Sequence, residues 1–397
     1  MNALEQQLDY PFSNALPETG STLEVAPGIK WIRMGLPFAL DHVNLWLLRD
    51  EMEDVARPGT TIQGWSVVDC CISQEESKAQ WESIFSTQLE GLPILRVIVT
   101  HMHPDHVGLA HWLCERWTTD RHVCRLWISA TDYNTARLGS QGSTGFGGKA
   151  TARFFASHGL TDAIALEDIK GRTAYYPSLV PQVPESFCRL MDGKTLRIGG
   201  RSWRCISGYG HAPEHMALYC ADPSTAHFEL SGAQRTQPET GILIAGDMVL
   251  PRISTNVSVY EVEPEANALT WFLESIEKFV PLPEDTLVFP SHGKPFRGLH
   301  TRIKQLHDHH RDRLAEVMNA CRKRPHTAAD ILPIMFTRQL DSHQITFAMG
   351  EALAHLHALW FKKELFRILD KDGVYRFYAP ELHGTAWPEA VNYATGC

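Results

Sequence analysis

Residues 100–106 read THMHPDH and directly follow the apolar run ILRVIV at 94–99. A strand ending in a loop would deliver His101, His103, Asp105 and His106 from six consecutive positions. Alternate residues of an extended loop point the same way, so His101 and His103 can share one ion while Asp105 and His106 face a second position. Nitrogen ligands with a carboxylate suit zinc, with iron or manganese as the other candidates. Two cations a few ångströms apart lower the pKa of a bridging water and polarise a carbonyl or phosphoryl oxygen, so hydrolysis needs no serine or cysteine nucleophile.

The elements that must position these residues follow an α/β rhythm. Short β-branched or aromatic runs at 31–34, 43–48, 65–68, 94–99, 126–129, 204–207, 216–220, 242–245 and 286–289 predict strands. Helical patterns lie between them at 77–89, 108–117 and 265–279. Two stretches interrupt the rhythm. Residues 139–148 (GSQGSTGFGG) are glycine-rich and precede a helical segment at 149–157, then a proline-rich run to Pro184; residues 222–240 are polar and read as a surface loop. Long inserts near a site often act as lids, which is the expectation for 139–148. From about residue 300 the pattern turns helical, at 302–321, 328–336 and 344–363, followed by a hairpin through the turn DKDG. That reads as a winged-helix-like domain. The expected organisation is an extension at 1–20, a catalytic domain at 21–300, the winged-helix-like domain at 301–380 and a tail at 381–397.

Composition narrows the function classes. The 397 residues carry 37 Lys+Arg against 46 Asp+Glu, a net charge of −9. Residues 305–380 hold 11 basic against 9 acidic side chains, too weak an excess for a phosphate-binding stripe, so nucleic acid is not the expected partner. The first twenty residues show no basic n-region or apolar h-region, and no run suits a membrane span. Nine cysteines without a C-x-x-C pair suggest neither a disulfide framework nor a thiolate site, so a reduced, cytoplasmic setting is the default. The segment STGFGGKA at 143–150 lacks the first glycine and the hydroxyl of a phosphate loop. His300, His307, His309 and His310 have no accompanying carboxylate spacing, and a solvated helix face is expected there.

H-x-H-x-D-H after a strand resembles the metallo-β-lactamase superfamily, and the family's other landmarks occur in order. GYGHAPEH supplies His211, IAGDMVL supplies Asp247 and PSHG supplies His292. Upstream, WSVVDCC resembles the strand whose terminal aspartate braces the metal loop, here Asp69, with Cys70 and Cys71 where a glycine often follows. LPFALDHVNLWLL resembles the opening strands of the glyoxalase II-like and lactamase-like endoribonuclease branch. The resemblance spans roughly residues 20–300. It implies an αββα sandwich with two divalent ions at one edge. One ion would be held by His101, His103 and His211, the other by Asp105, His106 and His292, with Asp247 bridging.

The same resemblance implies a metal-bridging hydroxide as nucleophile, oriented by Asp247, and an ester or thioester of acyl-CoA or glutathione type as substrate. Asp105 and Asp247 are the expected catalytic carboxylates. His215 is expected behind the ligands or facing substrate, and Lys294 at the rim, where it would attract an anion. The alternatives are a lactonase or a metal-dependent endoribonuclease. A single-iron dioxygenase is opposed by His292, and a flavodiiron protein by His103. The partner expected is a small-molecule substrate, and the roles open to the helical domain are pairing two copies as a homodimer or closing one wall of the substrate pocket.

Overall fold

A computed structural model describes residues 3–142, 147–222 and 240–382. The chain forms two compact units: Met1–Gly142, Tyr176–Thr255 and Ser275–Ile303 make the first, and Ser143–Tyr175, Asn256–Glu274 and Lys304–Cys397 the second.

The first unit is built on two sheets. Strands β1 (Leu23–Ala26), β2 (Ile29–Gly35), β3 (His42–Glu53), β4 (Thr61–Val68), β5 (Ile94–Ile98), β6 (Arg125–Ser129) and β7 (Phe187–Leu190) form a seven-stranded sheet in that order. Pairing is antiparallel from β1 to β4 and parallel from β4 to β7. Strands β8 (Thr195–Ile198), β9 (Arg201–Gly208), β10 (His215–Cys220), β11 (Ile242–Gly246) and β12 (Leu287–Pro290) form the second sheet. It is antiparallel except where β11 meets β12. Trp31, Trp46, Val68 and Ile98 of one sheet share a buried core with Trp203, Met216, Leu218, Ile244 and Phe289 of the other. Trp46 stacks on Phe289 with ring centroids 4.4 Å apart. This is the expected sandwich, formed because each sheet turns its apolar face inward.

Helices α1 (Glu75–Thr87), α2 (Pro104–Val107), α3 (Ala110–Trp117) and α4 (Ala130–Ser140) follow the parallel strands. α1 buries Trp81 and Ile84, and α3 packs on β5 and β6. The topology places the ends of β4, β5, β6, β11 and β12, and the start of β10, as carriers of the conspicuous polar residues. Strand ends in such sheets leave backbone groups unpaired and loops free to vary, which is why sites collect there.

The second unit contains α5 (Lys149–Ala156), α6 (Ala163–Gly171), the first residue of α7 (Tyr175–Leu179), most of α8 (Ala268–Glu277), α9 (Leu299–Cys321) from residue 304, α10 (Ala328–Met335), α11 (Ser342–Phe361) and the hairpin β13 (Phe366–Leu369)–β14 (Tyr375–Tyr378). The three C-terminal helices and the hairpin match the sequence expectation. The partition at residue 300 does not, because two segments from within 21–300 belong to this unit. Backbone hydrogen bonds show why. Ala329 donates to His158, Tyr375 to Ser157, and Val259 to Gly350. The apolar face of α5, with Ala152 and Phe155 buried, is covered within this unit. The run before Pro184 holds α6 and α7. Residues 143–146 of the expected lid, 223–239 of the second insert and 383–397 of the tail lie outside the described residues.

His310 corrects another expectation. It is buried rather than solvated, lies with its ring edge-on to Phe272, and its Nδ1 meets His355 Nε2 at 3.3 Å. Burial holds His310 at about 2, His355 at about 4, His357 at about 3 and His158 at about 4, so all four stay neutral when folded. The unfolded chain takes up protons below the ordinary histidine value of about 6.5, so stability is lost as pH falls through that value toward 4. Glu351, raised to about 7 by burial, opposes this with a single proton. Denaturant unfolding at pH 7.5, 6 and 5 should show this acid-side loss. His357→Asn should flatten its slope by up to about 1.4 kcal/mol per pH unit. An unchanged slope would show that His357 gains its proton without unfolding.

Candidate metal centre

Two groups of donors converge at the sheet edge. His101, His103, His211 and Asp247 form one, and Asp105, His106 and His292 the other, with the donor atoms of each group within 4.8 Å of one another. In the first group His101 Nε2 lies 2.8 Å from His103 Nδ1 and 3.1 Å from His211 Nε2. In the second, Asp105 Oδ2 lies 3.3 Å from His106 Nε2 and 3.4 Å from His292 Nε2. Asp247 reaches both groups. Its Oδ2 is 3.3 Å from His211 and 4.0 Å from His101, while its Oδ1 is 3.7 Å from His106 and 3.4 Å from His292.

The local sequence explains how each donor is aimed. Asp69 directly follows β4 with φ +62°, and its Oδ1 accepts the Thr100 amide at 2.8 Å. Asp69 Oδ2 accepts His106 Nδ1–H at 2.8 Å, which turns Nε2 into the site. The Thr100 hydroxyl donates to Asp69 and lies 3.0 Å from His101 Nδ1, so His101 also presents Nε2. Cys71, at φ +69°, carries the left-handed turn where glycine would be the easy residue. Cys70 and Cys71 are fully buried, as expected of core residues. His292 Nδ1 donates to the His42 carbonyl at 2.7 Å. Asn44 Nδ2 donates to the carbonyls of Pro290 and Gly293 at 2.8 and 2.9 Å, fixing the loop that carries His292.

His215 lies beneath the site. Its ring is fully buried and its Nε2 accepts the Asp247 amide at 3.2 Å. It packs so closely under Gly246 that a Cβ there would come within 2.1 Å of Nε2, at a backbone φ of +55°. Glycine is therefore required before Asp247. Lys294 does not present its ammonium to the two groups: it donates to the Ser13 carbonyl at 2.9 Å and approaches Asn14 Oδ1 at 3.3 Å. Two residues ahead of it, His292 is held inward because Gly293, at φ +92°, turns the chain.

The electrostatics divide along the same line. Burial, reinforced by neighbouring imidazoles, pushes His101 well below the ordinary histidine value and His103 down to about 3. Burial alone would also lower His106, but Asp105, Asp69 and Asp247 outweigh it and raise it well above. For His292 burial is again outweighed, chiefly by Asp247, and the ring rises to about 10. Asp105 and Asp247 are held below the usual carboxylate range despite burial: His106 is the main cause for Asp105, and His292 followed by His106 for Asp247. His106 Nε2 and Asp247 Oδ1 are buried without a hydrogen-bond partner. Orphaned donors facing one another fit two divalent cations, whose charge would replace the protons now separating carboxylates from imidazoles.

The residues that sequence reasoning missed lie behind the ligands. Asn44 and His42 stand in the LDHVN segment, legible in the sequence only as an opening strand. Asp132 bonds the amides of Met102 and Glu214, and burial pushes its carboxyl up to about 6. The local pattern Ser129-x-x-Asp132 marks a helix start and gives no sign of the two distant amides. Neither does the sequence show Tyr176, whose hydroxyl donates to the Met102 carbonyl from 74 residues away.

Residues 55–227 match the metallo-beta-lactamase superfamily, and residues 314–380 match the metallo-beta-lactamase-like C-terminal domain. The crystal structure of a beta-lactamase domain protein from Burkholderia ambifaria is 51% identical in sequence, with a TM-score of 0.84 over 95% of this chain and 100% of that one. The metallo-beta-lactamase family protein TTHA1429 from Thermus thermophilus shares the fold, with a TM-score of 0.68 at 23% identity over 90% of this chain and 100% of that one. A Bacillus subtilis (strain 168) protein named "Probable metallo-hydrolase YqjP" is 22% identical over 353 residues, 87% of this chain and 96% of that protein. Ligand-type residues in two facing groups, a two-sheet sandwich and full-length similarity to a solved relative together place this chain in the metallo-β-lactamase superfamily.

Proposed function

We propose that this protein is a dinuclear metal-dependent hydrolase acting on an ester or thioester of a small molecule. The observation that carries the reading is the Asp247 carboxylate, which turns one oxygen toward each donor group. His101, His103 and His211 would hold one divalent ion and Asp105, His106 and His292 the other, with Asp247 shared. The all nitrogen and oxygen donor set favours zinc, and also suits iron or manganese. Two such ions supply an ionised water at neutral pH and polarise the substrate's carbonyl oxygen.

The chain's own residues do the rest. Asp69 and the His42 carbonyl fix the His106 and His292 rings so that neither can rotate away. The Asp247 carboxylate, with its backbone anchored by His215 Nε2 and by the Thr255 hydroxyl, would orient the attacking oxygen by accepting a hydrogen bond from it. Support for a carbonyl substrate over RNA comes from the acidic balance of the chain, −9 overall. The test is a parallel screen of acyl-CoA, acyl-glutathione, lactone, β-lactam and single-stranded RNA, each with a chelated control. Chelator-sensitive turnover of an ester or thioester is expected. Cleavage of RNA alone would overturn the substrate class.

A further inference from the structure

Two loops carry the first donor group, and they come from distant parts of the chain. His101 and His103 flank Met102 after β5, while His211 precedes Glu214 ahead of β10. The backbone ties the two segments where Met216 N–H donates to the Thr100 carbonyl at 2.7 Å, and nearer the donors one side chain reaches both Met102 and Glu214. Asp132 Oδ1 accepts the Met102 amide at 2.8 Å and its Oδ2 accepts the Glu214 amide at 2.7 Å. The carboxylate is fully buried.

Its own position is over-determined. Ser129 caps α4, its Oγ accepting the Asp132 amide at 3.2 Å and donating to Asp132 Oδ2 at 3.1 Å. One residue earlier on the helix, the Thr131 hydroxyl donates to Glu214 Oε2 at 3.0 Å. Met102 is gripped from the other side by Tyr176, whose hydroxyl donates to its carbonyl at 2.5 Å. The first turn of α4 therefore clasps both loops at once. The second donor group has different supports: Asp69 for His106, and His42 for His292.

We infer that Asp132 is a positioning residue for the first ion alone, setting the spacing between the His101/His103 loop and the His211 loop. The inference rests on the dinuclear reading above. A charged acceptor is required because both partners are N–H donors. An asparagine in either orientation would turn its NH2 against one of the two amides, so one loop would be released while side-chain volume is kept.

The experiment compares wild type, Asp132→Asn and Asp132→Ala, each loaded with Zn²⁺ or Co²⁺ alone. Affinities are read by competition with a chromophoric chelator, and ligand geometry by the Co²⁺ visible spectrum. Amide hydrogen exchange at Met102 and Glu214 is followed in the metal-free proteins. Expected is a loss of first-ion affinity of about 10- to 100-fold, the range for residues that orient ligands, with the second ion bound as in wild type. Exchange at one of the two amides should rise in the asparagine variant, and at both in the alanine variant.

Wild-type affinities and spectra in both variants would overturn the inference. So would equal weakening of both ions, or failure of Asp132→Asn to fold, since either would make Asp132 a general support of the unit. If wild type itself binds fewer than two ions, the dinuclear reading fails instead. The amide exchange data, which need no metal, then still decide whether Asp132 holds the two loops.

Discussion

Asp247→Ala is expected to lower kcat/KM on the ester or thioester substrate by about 10²- to 10³-fold while leaving a folded chain, a size set by losing a preorganised group at the reacting atoms. The physical reason is its placement. Each carboxylate oxygen faces a different donor group, so one substitution removes a donor from both and also the acceptor that orients the attacking oxygen. The same substitution takes from the raised His106 and His292 rings one of the two carboxylates they share, the leading one for His292, and leaves Asp105. In metal-free protein this costs stability, since an uncompensated buried charge is worth several kcal/mol. Asp247→Asn keeps the shape with less of that penalty and separates the two effects. Circular dichroism, metal content and steady-state kinetics check the prediction together. Wild-type turnover by either variant would show that Asp247 has no part in the chemistry.

The second large effect is metal removal. Dialysis against a strong chelator should abolish turnover, and adding back a divalent ion should restore it. Thermal stability should fall in parallel, by about 4 kcal/mol for each ion that had been present at a thousand times its dissociation constant. The pH dependence has a definite sign. In the metal-free protein His106 and His292 hold protons opposite Asp105 and Asp247, and an entering ion must displace them. Affinity should therefore rise with pH, and chelation should be easiest on the acid side. Calorimetry in buffers of different ionisation enthalpy reads the released protons directly. Full activity in protein shown to be free of metal would refute the hydrolase mechanism.

Neighbouring donors were legible because a loop places residues two apart on one side and the next pair on the other. That local geometry made His101, His103, Asp105 and His106 readable as a cluster. His211, Asp247 and His292 were readable only through the order of the landmarks. The three-dimensional groups agree with that order. Proximity in sequence to His292 does not say where the flexible four-carbon chain of Lys294 ends, and here Ser13 and Asn14 take the ammonium. His310 departs from its expected solvated place for the opposite reason. A charged, irregular pattern on a long helix looks solvated until its partners are known, and His355 lies 45 positions away.

By itself the sequence determined the chemistry available: which side chains can bind metal, the strands that end beside them, and a net charge of −9. Those properties depend on residue type and on spacings of a few positions. The tertiary structure decided which donors share a group, which ring nitrogen each histidine presents, and that the second unit draws in residues 143–175 and 256–274. It also decided that Asp132 holds two loops at once. Hydrogen bonds between residues 30 and 82 positions apart leave no periodicity in the sequence, because only the closing of the sheets brings their atoms within 3 Å.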